Sequence, residues 1–150
     1  MKWLKFIRLS SSDRLLFLKI ATLLLATRFA LLWVPYKTIL DRFDVLSRSP
    51  VERNQSPETI QQCIDSVIYL SNAAGRRVLG SRPCLPKALV VECLLQRRSI
   101  NAVFQIGVTK GVNDQLLAHA WVEYQGEIII GGRLSEARYA RLRPLKPESS

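Results

Sequence analysis

Cys84 stands at the start of a predicted helix, within the stretch "SRPCLPKALVVECLLQRR" at residues 81–98. The N-terminus of a helix carries partial positive charge and free N–H groups, which favour a thiolate. Arg82 and Lys87 add positive charge, and Pro86 falls in the first turn, where its missing N–H costs little. A thiolate in this position is a nucleophile, and the N–H groups could hold the oxyanion of a tetrahedral intermediate. The alternative is that Cys84 is a small apolar residue that only packs.

His119 is the single histidine of the chain and lies in a predicted strand between Ala118 and Ala120. Small neighbours leave room around an imidazole, although a lone histidine in a strand is often structural. Cys84 and His119 together, with one helix and one strand between them, have the arrangement that a cysteine nucleophile and its general base require. The two residues are therefore predicted to form a catalytic pair.

The other two cysteines, Cys63 and Cys93, are predicted to pack inside helices. Cys93 follows Cys84 by nine residues, which puts the two on opposite sides of one helix. The chain has no CxxC pair and one histidine, so we expect neither a structural zinc site nor a disulfide framework, and no cofactor. Free cysteines suit a reducing cytoplasm, and we expect the protein there.

Helices come first in the chain and strands last, which is typical of an α+β domain whose helices pack on an antiparallel sheet. Hydrophobic periodicity and turn residues predict four helices and three strands, at 12–34, 36–48, 57–75, 84–98, 102–109, 116–124 and 127–132. Gln125–Gly126 is the predicted hairpin turn. The predicted organisation is an N-terminal helical region (1–48), a linker (49–56), a core (57–143) and a flexible tail (144–150).

The chain carries 22 Lys and Arg residues against 12 Asp and Glu residues, which gives a formal net charge of +10. This charge is spread along the sequence, and no aromatic-rich nucleic-acid-binding motif accompanies it. We therefore interpret it as a field that attracts a partner, and we expect no nucleic-acid binding.

Residues 15–34 form a mostly apolar run of 20 residues, which is long enough to span a bilayer. Lys19 and Arg28 interrupt the run, and an arginine at the bilayer centre costs about 3 kcal/mol even on insertion scales. We therefore interpret the segment as a long core helix whose polar positions touch water or a partner. A small membrane-anchored basic protein is kept as an alternative.

Two stretches, "CLPKALVVECLLQRRSINAVFQIGV" and "AHAWVEYQGEIIIGG", carry a resemblance to a known family. With a nucleophile helix, a strand and a histidine strand in this order, the chain resembles the transglutaminase-like cysteine enzymes. Within them it is most similar to the leader peptidases of lasso-peptide biosynthesis, and the similarity extends to the N-terminal "SSSDRLLFLKI". The resemblance implies a papain- or transglutaminase-like core in which the nucleophile helix packs on an antiparallel sheet.

The same resemblance implies a cysteine endopeptidase that removes the leader from a ribosomally made lasso precursor peptide. In that family a separate leader-binding protein, or a fused N-terminal domain, presents the precursor, and an ATP-dependent cyclase resembling asparagine synthetase closes the ring. This chain has room for the protease half alone. Its expected partners are thus the precursor peptide, a separate leader-binding protein and the cyclase. A catalytically weak or inactive scaffold subunit of the same complex is a further alternative.

One position departs from the family pattern, in which an Asp on the strand after the histidine orients the imidazole. Pairing across the hairpin turn places Gly132 opposite His119, and glycine has no side chain for this purpose. A backbone carbonyl near Gly132, or a water, is the first possible orienter. Asp114 in the preceding loop is the second, and Glu123 is the third. Asp114 is the carboxylate that we place with Cys84 and His119 in the predicted catalytic set.

Overall fold

The computed structural model describes residues 11–47, 56–80, 84–111, 114–132 and 140–141 of the 150-residue chain. Its helices are α1 (Ser11–Trp33), α2 (Tyr36–Ser47), α3 (Pro57–Val78) and α4 (Cys84–Gln96), and its strands are β1 (Val103–Lys110), β2 (Leu116–Tyr124), β3 (Glu127–Ile130) and β4 (Ala140–Arg141). Helices followed by one antiparallel sheet confirm the predicted α+β class. The predicted tail and most of the predicted linker lie outside the described residues.

The sheet has the strand order β3-β2-β1-β4, and each neighbouring pair is antiparallel. β1 pairs with β2 along its whole length, so that Gly107 faces His119. Gln125 and Gly126 join β2 to β3 with φ angles of 52° and 82°, and positive φ at both central residues is typical of the type I′ hairpin turn. The predicted turn is confirmed.

The helix that begins at Cys84, α4, is the core helix of the fold. It contacts α1, α2 and α3 as well as β1 and β2. Every residue from Ala88 to Leu95 is buried. A helix that is apolar all round is stable in water when other elements cover it on every side, and α4 meets this condition. The prediction of a nucleophile helix packed on an antiparallel sheet agrees with this arrangement.

Glu92 ties the C-terminal half of α4 to the start of β1. Its carboxylate is buried and accepts hydrogen bonds from the backbone N–H of Phe104 at 3.2 Å and from Nε2 of Gln96 at 3.1 Å. Gln96 Nε2 also donates to the carbonyl of Ala102 at 3.1 Å. These bonds hold α4 at one position along β1, and they therefore also set how far along the strands Cys84 lies.

Replacement of Glu92 with alanine should lower the free energy of unfolding by about 1–3 kcal/mol, because the N–H of Phe104 and the amide of Gln96 both lose their acceptor. Urea denaturation measures this change. Glu127→Ala is the matched control, since that side chain is exposed and its loss should change the free energy of unfolding by less than about 0.5 kcal/mol. Equal effects of the two substitutions would show that the Glu92 bonds do not stabilise the fold.

Helix α3 begins where the sequence predicts and ends later. Ser56 caps its N-terminus, because its Oγ accepts a hydrogen bond from the N–H of Thr59 at 3.3 Å, and Pro57 occupies the first helical turn. The helix continues past Gly75, its predicted end, to Val78. Gly75 is buried within the helix, so this glycine is a packing residue and does not end the helix.

Helix α1 lies on the core with one face, which consists of the buried residues Phe17, Ile20, Leu24 and Thr27. Arg28 also connects α1 to the rest of the fold, since its Nη1 donates to the carbonyl of Leu79 at 3.1 Å. Leu79 is the C-cap of α3, so the guanidinium satisfies a carbonyl at the negative end of that helix. The interpretation of residues 15–34 as a core helix therefore holds for this face.

Candidate active site

Cys84 is the first residue of α4, and its free thiol belongs to a half-buried residue. The first N–H groups of a helix have no partner within it, so they are directed toward the space beside this thiol. Lys87 lies one turn further along and donates from Nζ to Oδ1 of Asn72 at 3.0 Å. Arg82, which the sequence places next to the cysteine, lies outside the described residues.

Lys87 brings positive charge to the thiol. Burial lowers the pKa of the Lys87 ammonium, while negative charge on Cys84 acts in the opposite direction, so a thiolate and this ammonium stabilise each other. Arg76, in the last turn of α3, lowers the pKa of Lys87 further, which indicates a second cation nearby. Lys87 therefore brings positive charge to Cys84, and Arg76 brings positive charge to Lys87.

The His119 ring is oriented by a backbone carbonyl. Its Nε2 lies 2.6 Å from the carbonyl oxygen of Gly131, just after the end of β3. A carbonyl can only accept a hydrogen bond, so Nε2 carries the proton, and in the neutral ring the lone pair lies on Nδ1. Nδ1 is then the atom that can take a proton from a thiol.

The direction of α4 carries Cys84 to the level of His119. Phe104 in β1 bonds to Glu92, while Gln96, one turn further along α4, bonds to Ala102, which precedes β1. The helix and the strand therefore run in opposite directions. From Glu92 back to Cys84 the helix rises about 12 Å. From Phe104 forward to Gly107 the strand advances about 10 Å. Gly107 faces His119, so the thiol and the imidazole lie at the same end of the sheet.

Gly131 occupies a position that no other residue type fits. Its φ of +110° lies in the region that favours glycine. A Cβ at this position would overlap Cβ of Trp121, lie 2.8 Å from its Cα and lie 3.0 Å from the carbonyl oxygen of Ala120. The backbone of Gly131 is therefore in direct contact with β2, and this contact places its carbonyl at the His119 ring.

The pairing of β2 with β3 shifts by one residue along the hairpin. Val122 pairs with Ile130, because a bulge follows the first pairs after the turn. The regular pairing that would place Gly132 opposite His119 therefore does not hold. The first of the predicted orienters, a backbone carbonyl near Gly132, is present, since the carbonyl of Gly131 reaches the ring. Regular pairing assumes equal numbers of residues on both strands, and the extra residue of a bulge has no sequence signal of its own here.

Trp121 lies beside the His119 ring on the same face of β2. The two ring centroids are 6.3 Å apart, and the ring planes differ by 18°. Trp121 is fully buried, and its Nε1 donates to Oε1 of Glu123 at 2.7 Å. Nη2 of Arg141 on β4 lies 3.0 Å from the same oxygen. Glu123, the third of the predicted orienters, is thus engaged with Trp121 and Arg141 and holds the indole beside the His119 ring.

The site combines a thiol at a helix N-terminus, a histidine on β2 and a carbonyl that orients the histidine. A sequence profile described as the transglutaminase-like superfamily matches residues 23–145. The chain belongs to the transglutaminase-like superfamily. Comparison with curated proteins gave no match, and comparison with solved structures gave none. The profile covers the superfamily as a whole, so it confirms this part of the resemblance and does not distinguish the lasso leader peptidases within it.

Asp114 lies apart from the His119 ring in this transglutaminase-like fold. Its carboxylate is 85% exposed and lies 3.4 Å from Nζ of Lys110. From Leu116, the first residue of β2, the strand advances about 10 Å to His119. The structure therefore does not bring Asp114 to the imidazole, and the geometry gives no support to its predicted role as orienter.

The remaining thiols of the transglutaminase-like core are poor nucleophiles. Cys93 is buried among apolar residues. Burial raises the pKa of the Cys63 thiol, and the charge of Arg98 offsets only part of that effect. The reacting form of cysteine is the thiolate, which such burial disfavours. Within the described ranges, no group of three or more His, Cys, Asp or Glu side chains is placed to hold a metal ion.

Proposed function

We propose that this transglutaminase-like protein is a cysteine endopeptidase with Cys84 as nucleophile and His119 as general base. The observation that carries the proposal is the hydrogen bond between His119 Nε2 and the carbonyl of Gly131, because it makes Nδ1 the proton acceptor. The superfamily includes cysteine proteases, which supports the same reaction class.

In the proposed reaction His119 Nδ1 takes the proton of Cys84, and the thiolate attacks the carbonyl carbon of a peptide bond. N–H groups at the start of α4, that of Cys84 among them, hold the oxyanion. Nδ1 then gives its proton to the leaving amine nitrogen as the C–N bond breaks, which leaves a thioester. Water, deprotonated by Nδ1, attacks the thioester carbon, and the C–S bond breaks to return the thiolate and a free carboxylate.

The substrate that we propose is a lasso precursor peptide, cut between leader and core in the cytoplasm. The sequence resemblance motivates this choice, as well as the partners: a separate leader-binding protein and an ATP-dependent cyclase. Arg76 beside the site and the net charge of +10 fit an acidic leader or an acidic carrier of it.

An inactive scaffold subunit is the second candidate, because His119 is oriented by a carbonyl where the family pattern has a carboxylate. In the serine-protease template, loss of that carboxylate costs about 10⁴-fold in rate. A carbonyl holds the ring in position but adds no negative charge to stabilise an imidazolium. Measured turnover separates the two candidates.

The test is cleavage of a lasso precursor peptide, sought among the short reading frames next to this gene, carried out in ¹⁸O-labelled water with mass spectrometry of the products. We expect one cut at the leader–core junction and one ¹⁸O atom in the new leader carboxylate, which identifies hydrolysis. The Cys84→Ala variant is the control and should give no product. Unlabelled product joined to an added amine would indicate acyl transfer, and no product in any mixture would favour the scaffold.

The purified chain alone is expected to cleave the precursor slowly until the leader-binding protein is added. The reason is that the helices and strands of the described residues form the proposed protease core, and none of them forms a separate leader-binding module. An effective concentration in the millimolar range is typical of a substrate tethered beside a site, so we expect an increase of about 100-fold or more at micromolar precursor. Single-turnover cleavage with and without the partner measures it. Full turnover by the chain alone would contradict the requirement for a separate partner.

A further inference from the structure

Helix α1 has a second apolar face, opposite the one that lies on the core. Large apolar side chains recur on it at spacings of three, four and seven residues and remain exposed: Leu15 (69%), Leu18 (57%), Leu25 (40%), Phe29 (60%) and Leu32 (70%). Residues three and four apart share one side of a helix, so these five residues and Thr22, which completes the series, form one strip. We call this strip the outer face.

The outer face is long and offers no polar group that needs water. From Leu15 to Leu32 it extends about 26 Å along the helix. Thr22 is its one polar residue, and the Thr22 hydroxyl donates to the carbonyl of Leu18 at 2.9 Å, so its bond is made within the helix. Single exposed leucines are common on protein surfaces, but a continuous apolar strip of this size marks a contact with another molecule or a membrane.

Basic residues border the outer face on both sides. By helical spacing, Arg14 and Arg28 lie along one edge and Lys19 lies along the other. A second copy of this chain would set these cations against its own, and the net charge of +10 adds to that repulsion. An anionic surface gains from both features, because its charged groups meet the cations while its apolar part takes up the leucines.

Aromatic and geometric features favour a lipid surface over an acidic protein helix as that partner. Trp33, at the end of the outer face, is 86% exposed, and tryptophan concentrates at the level of lipid headgroups. A protein helix would have to match the spacing of the outer face along its whole length. A lipid surface accepts a long, straight apolar strip with no such match.

Helix α1 is the one helix in the described part of the chain that is long and apolar enough to cross a membrane, by length and composition only. Its inner face, however, is the part of the core that contains Ile20 and Leu24, both fully buried. Arg28 also holds the C-cap of α3. Lipid on all sides would break these contacts, so the helix is suited to lie on a membrane and not to span it.

We propose that the outer face of α1 seats this protein on an anionic membrane surface, with Leu18, Leu25 and Phe29 among the acyl chains and Arg14 and Lys19 at the headgroups. This peripheral contact is independent of the proposed peptidase activity. In this orientation the candidate active site, on the other side of α4 from the outer face, would point away from the lipid and remain within reach of soluble peptide.

The test is sedimentation of the full chain with vesicles of equal parts phosphatidylcholine and phosphatidylglycerol, compared with vesicles of phosphatidylcholine alone. We expect binding to the anionic vesicles that is about tenfold or more tighter than to the neutral ones. Leu18→Ser combined with Leu25→Ser should weaken it by about tenfold or more, since each removes apolar area from the lipid. Tyr69→Ser, at a 56%-exposed aromatic on α3, is the matched control and should bind as the wild type does.

Thermal unfolding shows whether the double variant is folded, which we expect because both leucines are exposed. Should it fail to fold, quenching of wild-type tryptophan fluorescence by lipids brominated on their acyl chains is the second measurement, with a smaller quenched fraction in Trp33→Phe. Wild type that binds neither vesicle, or a folded double variant that binds as well as wild type, overturns the proposal. A wild-type dimer that the double substitution dissociates, without vesicle binding, would assign the outer face to a second copy and also overturn it.

Discussion

Cys84→Ala and His119→Ala are each expected to abolish precursor cleavage, with rate losses of at least about 10⁴-fold, because the two side chains act as one unit. Without Cys84 no thioester forms, and without His119 neither the thiol nor the leaving amine exchanges a proton. Single-turnover cleavage followed by mass spectrometry measures both losses. The double variant should be no worse than either single variant.

Cys93→Ala is the matched control, since it removes a thiol from the same helix. Cys93 is 3% exposed and packs in the core. The substitution should therefore cost stability and leave the rate of the folded protein close to that of wild type. If folded Cys84→Ala and Cys93→Ala lost activity equally, Cys84 could not be the nucleophile.

Gly131→Ala should have the second largest effect, a loss of about 100-fold or more in cleavage rate. A Cβ at Gly131 would overlap Cβ of Trp121, so the end of β3 has to move and its carbonyl leaves the His119 ring. A displacement of about 1 Å at a catalytic group costs rates of this order. Single-turnover cleavage measures the loss, and thermal unfolding shows how much of it is instability.

Gly132→Ala is the control for backbone strain in that experiment. Gly132 also has positive φ, at +90°, but a Cβ there would meet nothing within 4 Å. Gly132→Ala should therefore show the loss of stability that backbone strain causes, with little loss of cleavage rate.

Asp114→Asn should also leave the cleavage rate nearly unchanged, since the Asp114 carboxylate pairs with Lys110.

The sole histidine permits a readout that a purely structural role of Gly131 would not move. In the ¹⁵N spectrum of the imidazole, the wild-type neutral ring should be the Nε2–H form, because the Gly131 carbonyl accepts from that nitrogen. In folded Gly131→Ala the preference for this tautomer should be lost. A strong rate loss with the tautomer unchanged would mean that Gly131 does not act through His119.

Much of the fold follows from local sequence signals. Ser56 and Pro57 mark a helix start, and Gln125–Gly126 marks a type I′ turn, because these residue types satisfy local hydrogen bonds or tolerate positive φ. The positions of Cys84 and His119 on a helix start and a strand were predictable for the same reason. The superfamily match agrees with the order of those elements.

Long-range contacts account for what the sequence did not predict. The register shift between β2 and β3 and the close contact of the Gly131 backbone with Trp121 both depend on how the two strands meet, and neither has a local sequence signal. Glu123, the third orienter that the sequence offered, is buried and pairs with Arg141, which comes from a strand of only two residues. A helix as uniformly apolar as α1 does not indicate which of its faces meets the core, so its exposed face was also unpredictable.

The pairing of Cys84 as nucleophile with His119 as its general base is the central claim, and the most direct measurement is the rate of Cys84 alkylation by iodoacetamide at neutral pH in wild type and in His119→Ala. Mass spectrometry of the labelled peptides separates Cys84 from Cys63, whose burial keeps it slow. The thiolate is the form of cysteine that reacts, and His119 Nδ1 is the group proposed to take the proton of Cys84, so wild type should be alkylated readily. The rate should fall about tenfold or more in His119→Ala, since the group that accepts the thiol proton is gone. An alkylation rate at Cys84 that does not change in His119→Ala would contradict the pairing of the two residues.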